Sequence, residues 1–154
     1  MKAEDRELLI KDLSARVPYG VKAFVKNWSW LDMKSLESVC VVKYVFPDLN
    51  NVYTTSESGS VHVILGHDDY DIKPYLFPMS SMNDEQREEF LNIQSEERQV
   101  LTDALIKYRQ GNFDDKLPAI ASYNHIDWLN ARHFDYRGLI DKDLAIDATG
   151  MNIY

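Results

Sequence analysis

One cysteine, six glycines scattered singly and no long apolar run set the first limits on this 154-residue chain. Cys40 cannot close an intramolecular disulfide. Its place in the run Val39-Cys40-Val41-Val42 predicts a buried, inert thiol in a reducing compartment, and no histidine lies near it in sequence to act as a base. There is no Gly-x-Ser-x-Gly elbow, no phosphate-cradling loop and no dinucleotide glycine fingerprint, so cofactor binding by those routes is excluded and no cofactor is expected. Met1 to Lys11 is rich in charge, with no stretch suited to a signal peptide or a membrane span, which predicts a protein that stays in the cytoplasm and off the membrane. Basic clusters are missing as well. Residues 1 to 77 carry 9 basic and 11 acidic side chains, residues 78 to 154 carry 8 and 14, and the net charge is −8. Phosphate backbones are bound by Lys and Arg, so no nucleic-acid partner is expected. An acidic mimic of nucleic acid is a further reading, for which this charge is mild and mixed in sign.

What is present suits an ordinary globular chain. Hydrophobic residues make up 45% and charged residues 27%. A chain of this length buries roughly 68–70% of the surface its unfolded form exposes, without staples. Leu8, Leu9, Asp12 and Leu13 stand at helical spacing within Asp5 to Ala15, and Pro18 with Gly20 stops that helix. From Gly20 the period changes to alternation. Val21, Ala23 and Val25 mark a strand, Val39 to Phe46 a second, and Val52 to Thr55 with Val61 to Leu65 a hairpin around Ser56 to Gly59.

Two prolines in Ile72 to Pro78 argue against regular structure there. Asn83 and Gln86 have capping-box spacing, opening a helix to about Gln94, and Glu96 to Gln110 reads as a second helix closed by Gly111. Ser122 to His133 is a third, with Ile126, Leu129 and His133 toward the core. The predicted class is α+β: a small antiparallel sheet or partly open barrel in the first half, and helices in the second. A single domain is expected over 1–154, with a helix and β-rich part through residue 78 and a helical part from 79.

The segment His62 to Asp71 gathers two imidazoles and three carboxylates, and His62, His67 and Asp69 are its candidate ligands for a metal-dependent hydrolase. However, an offset of five residues puts His62 and His67 on opposite faces of a strand, and they meet only if Gly66 bends the chain. The expectation is therefore no metal. Trp28 and Trp30 share a face if the strand extends that far, either as core or as a stacking platform. Trp128 to Gly138 is the densest mixture of aromatic, cationic and acidic groups, with Asp135 and Arg137 placed for an internal ion pair.

Lys73-Pro74-Tyr75-Leu76-Phe77-Pro78-Met79-Ser80-Ser81-Met82, followed later by Asp127-Trp128-Leu129-Asn130 and His133-Phe134-Asp135-Tyr136-Arg137-Gly138-Leu139-Ile140, resembles a family of uncharacterised small proteins of Bacteroides-type gut bacteria, their phages and mobile elements. The likeness covers the second half well and the first loosely. Members often carry Arg where this chain has Phe77 and Gly where it has Asp143, which implies a left-handed turn at Asp143. The resemblance implies an accessory protein that binds a host protein or small ligand, and binding is favoured over catalysis.

The candidate face is Lys73, Tyr75, Ser80, Ser81, Trp128, His133, Tyr136 and Arg137, with Arg137 its most valuable side chain. No catalytic residue is assigned. A gel-shift assay at physiological salt is expected to show no complex with duplex DNA; a micromolar or tighter complex contradicts the charge argument.

Overall fold

Helix α1 spans Ala3–Arg16 in the computed structural model, which describes residues 1–29, 34–57, 59–109 and 124–154. Glu4 and Asp5 sit at its positive end and Arg16 at its negative end, as the helix dipole favours. A 3-10 turn over Val17–Tyr19 follows, and Gly20 ends it at φ +68, a conformation that a side chain makes costly.

Beyond Gly20 the chain builds a sheet in the order β4-β3-β2-β1-β5-β6, from β1 (Lys22–Ser29), β2 (Lys34–Phe46), β3 (Asn51–Ser56), β4 (Gly59–Ile64), β5 (Tyr70–Pro78) and β6 (Phe134–Asp135). A seventh strand, β7 (Ile146–Asp147), also pairs with β5. β1 to β5 pair antiparallel, whereas β6 and β7 run parallel to β5. The fold is α+β, and the sheet is open rather than curled into a barrel.

Alternation decides which face is covered. Val21, Ala23, Val25, Cys40, Val42, Val52, Val63 and Ile72 point inward and meet Leu9, Ile10 and Leu13 of α1. Leu76, Leu139, Leu144 and Ala145 complete this core. A register shift between Val42 and Tyr44 marks a bulge at Lys43. The extra residue explains why the run Val39 to Phe46 does not alternate cleanly.

Three expectations are corrected. Residues Ile72 to Pro78 are strand, with Pro74 opposite Ala23. A strand donates toward a given neighbour only at every second residue, so a proline fits wherever its nitrogen faces away from the ladder. The two helices expected between Asn83 and Gln110 are one, α2 (Asp84–Arg109). No glycine or proline interrupts that stretch, so nothing in it forces the helix to end near Gln94. The second half is also not purely helical, because β6, β7 and their connection join the sheet. Gln110, Gly111 and Trp30 lie outside the described residues.

The chain divides into two compact units, Met1–Met79 with His133–Tyr154, and Ser80–Arg132. In the second unit the capping box forms as its spacing predicts. The Gln86 N–H donates to Asn83 Oδ1 at 2.8 Å, and the Asn83 N–H donates to Gln86 Oε1 at 3.0 Å. Helix α3 (Asn124–Ala131) packs on α2 through Phe90 against Trp128, with ring centroids 5.5 Å apart. Glu97 adds a 2.6 Å contact to His125 Nδ1. Among the described residues no helix is long and apolar enough to cross a membrane.

One buried ion pair lies inside the first unit. Arg16 and Asp12 both have 0% side-chain exposure and meet at 2.8 Å, one helical turn apart. Removing one partner of such a pair strands the other charge, at a cost of about 3–5 kcal/mol, whereas replacing both by apolar groups of similar volume is far milder. Urea unfolding is therefore expected to show a loss of about that size for Arg16→Met, and recovery of more than half of it in Asp12→Leu/Arg16→Met. Equal losses in the two proteins contradict this account.

Candidate functional site

The end of α1, the start of β1, the end of β5 and the turn into β6 converge on His133. This residue holds φ +59, a left-handed conformation that histidine adopts more readily than most side chains. Its carbonyl accepts the Phe77 N–H at 2.9 Å, which brings β6 alongside β5. The ring is 6% exposed and lies flat on Tyr154, with centroids 3.8 Å apart and planes 12° from parallel. The Tyr154 hydroxyl accepts the Lys22 N–H at 3.2 Å and donates to the Tyr75 carbonyl at 2.8 Å.

Beside this stack is the ionic cluster. Arg16 donates through Nε to Asp12 Oδ2 and through Nη2 to the Phe134 carbonyl at 2.7 Å. Arg137 Nη1 stands 3.8 Å from Asp12 Oδ1, too long for a hydrogen bond, and both guanidinium groups lie over the Tyr136 ring, at 5.5 Å for Arg16 and 4.8 Å for Arg137. Asp12 Oδ1, Arg16 Nη1, Arg137 Nη1 and His133 Nδ1 are buried without a hydrogen-bond partner. Buried polar atoms are normally paired, so four in one neighbourhood are a polar surplus inside the protein.

The surroundings set the protonation states. Burial, then the charges of Arg16 and Lys22, hold the His133 imidazole down at about 4, so it is neutral at physiological pH. Burial pushes Tyr154 up to about 12, against the pull of its bond to Lys22. Burial also raises the Asp12 carboxyl, opposed by Arg16 and Arg137.

The residues singled out from the sequence are dispersed. Lys73, Tyr75, His133, Tyr136 and Arg137 belong to the first unit, and Ser80, Ser81 and Trp128 to the second. Tyr75, Trp128 and His133 are buried, and the Arg137 side chain is only 17% exposed. Lys73 is paired with Asp143 at 2.6 Å, and Asp143 does adopt the left-handed turn, at φ +57. The expected Asp135–Arg137 pair is replaced. Asp135 accepts the N–H groups of Leu139 and Ile140 at 2.9 and 2.8 Å, while Arg137 turns toward Asp12. A carboxylate that closes a turn onto its own backbone leaves the neighbouring arginine to seek the other buried acid.

Gly66 does bend the chain, at φ +86, yet His62 packs its ring edge on Tyr53 at 4.7 Å and His67 sits 3.6 Å from Asp69. Among the described residues no three His, Cys, Asp or Glu side chains are grouped to hold a metal ion.

Sequence reading missed Asp12, Arg16, Lys22 and Tyr154. The signal for the first two was a charged i, i+4 pair on the same stripe as Leu9 and Leu13. It also missed an aromatic row on the uncovered face of the sheet. Register places Tyr44 opposite Tyr53 and Tyr53 opposite His62, with Phe46 and Ile64 flanking them across Asn51. Ring centroids are 5.9 Å apart for Tyr44 and Tyr53 and 6.4 Å for Tyr44 and Phe46. On the same face, Val39, Val41 and Thr55 contribute with Lys22 to a groove of about 720 Å³.

The depressed His133 pKa has a stability consequence of definite sign. Between the ordinary 6.5 and about 4, the unfolded chain binds a proton at His133 that the folded chain refuses. This contribution is therefore complete above that window and lost as pH falls through it, by up to about 3 kcal/mol. Urea unfolding from pH 7 to pH 4 is expected to show a smaller loss in His133→Gln than in the wild type, and parallel curves contradict the assignment. No protein-family profile, curated protein or solved structure matches the chain, so the functional reading rests on this geometry.

Proposed function

We propose that the chain is a cytoplasmic binding protein without catalysis of its own, and that it engages a protein of a bacterial host through the uncovered face of its sheet. The observation that carries this reading is the row Tyr44, Tyr53 and His62 with Phe46 and Ile64. Tyr44 is 61% exposed and Phe46 and Ile64 each 44%, on a face that the core does not use. Contiguous apolar patches on a surface mark interaction sites, and tyrosine and phenylalanine are among the residues enriched at interfaces. The rings are held by β2, β3 and β4, so they lose little freedom on binding.

The adjoining groove gives the face depth for a partner side chain. Net charge −8 favours a protein partner over a nucleic acid. The resemblance to phage and mobile-element proteins supports a host factor as that partner.

Affinity capture from bacterial lysate tests the reading. Tyr44→Ser/Phe46→Ser removes the β2 side of the row at a stability cost of about 1 kcal/mol, because both side chains are largely solvated. Leu91→Ser, at an exposed position on α2, serves as the control. The expected result is a partner retained by the wild type and by Leu91→Ser, and reduced at least about tenfold by the double variant. Equal capture by all three proteins, or no partner at all, overturns the proposal.

A further inference from the structure

Tyr154 is held in the manner of a bound group. His133 supplies a flat stacking surface at 3.8 Å, Phe77 a tilted ring at 6.0 Å, and Lys22 a cation 5.8 Å from the ring centroid. The phenol hydroxyl accepts the Lys22 N–H and has two backbone acceptors in reach, the Tyr75 carbonyl at 2.8 Å and the Lys22 carbonyl at 3.5 Å. One residue earlier, the Ile153 carbonyl accepts from Lys22 Nζ. Further back, the Ala148 N–H donates to the Leu76 carbonyl at 2.8 Å, just past the parallel pairing of β7 with β5. These partners come from distant stretches of chain, and the deepest of them, His133, is fixed by its backbone and by burial. Met151–Tyr154, by contrast, has no regular secondary structure, and Tyr154 remains 43% exposed.

We propose that this pocket is a recognition site for a tyrosine-anchored peptide segment, and that the chain's own Ile153–Tyr154 fills it in cis. Two contacts make the ligand class a peptide rather than a small phenol. Lys22 Nζ reads the main-chain carbonyl that precedes the ring, and the edge of β5 reads a main-chain N–H six residues before Tyr154, which is peptide capture along a strand edge. His133 Nδ1 and Arg16 Nη1, both buried and without partners, leave polar capacity next to the ring that Tyr154 does not use. A partner segment with a tyrosine at that place competes for the same contacts. It competes against a tethered occupant whose effective concentration is of the order of millimolar, so access is restricted until Tyr154 leaves. This site is separate from the aromatic row on the sheet and stands or falls independently of it.

The test uses the full chain and the nonapeptide of residues 146–154, which includes the Ala148 N–H, followed by NMR titration. Tyr154→Ala is expected to bind the peptide at least about tenfold more tightly than the wild type does, by the removal of the tethered competitor. Binding is expected to be lost when the peptide's tyrosine is replaced by alanine, and when His133→Ala is added to the protein. If Tyr154→Ala is too unstable to titrate, the wild type at about 10 mM peptide is expected to show its Tyr154 ring resonances moving toward solvent-exposed positions. Absence of any saturable shift in the protein overturns the proposal. Binding of 4-methylphenol as tight as that of the peptide overturns the peptide reading in favour of a phenol pocket.

Discussion

A guanidinium with no exposed surface has to be neutralised where it lies, and Arg16 organises the first unit around that requirement. Asp12, one turn back on α1, supplies the counter-charge, and the Phe134 carbonyl takes a second donor. The helix that covers the sheet is thereby tied to the segment that adds β6 to its edge. Burial, with the same positive charge and that of Lys22, keeps His133 neutral, and neutral His133 lies flat under Tyr154. Charge, strand pairing and aromatic stacking therefore form one connected arrangement. Disturbing it at Arg16 reaches elements far apart in sequence.

The two faces of the sheet carry different tasks. One is apolar at every second residue and buried under α1, and it accounts for most of the core. The other keeps large aromatic side chains in water, which stability does not require. An antiparallel sheet can leave one face solvated, but solvated faces are usually polar. Tyr44, Phe46 and Ile64 stay exposed there, with Tyr53 between Tyr44 and His62. In the buried cluster the histidine is uncharged, Asp12 is engaged by Arg16, and Tyr154 stacks on His133.

Features governed by near neighbours were legible before the structure. The capping box at Asn83 and Gln86, the stop at Gly20 and the hairpin around Ser56 to Gly59 each depend on a few adjacent residues. So did the inward set Val21, Ala23 and Val25, since alternation is a property of a single strand. The strand through Pro74 was not legible, because whether a proline fits depends on which side the neighbouring strand lies.

The site divides along the same line. The residues of Trp128 to Gly138 stood out by composition, yet composition is silent on burial, and Arg137 pairs with an acid 125 positions away rather than with Asp135 next door. Tyr154 carries no local mark of its place, and the i, i+4 spacing of Asp12 and Arg16 does not show that both are buried. By itself the sequence determined helix α1, the start of α2, the alternating inward set, the tight turns and the charge, because each is set within a turn or two of chain. Only the tertiary structure decided which aromatic residues face water, which charges are buried together and which ring stacks on His133. Those outcomes depend on long-range pairing and on the desolvation it imposes.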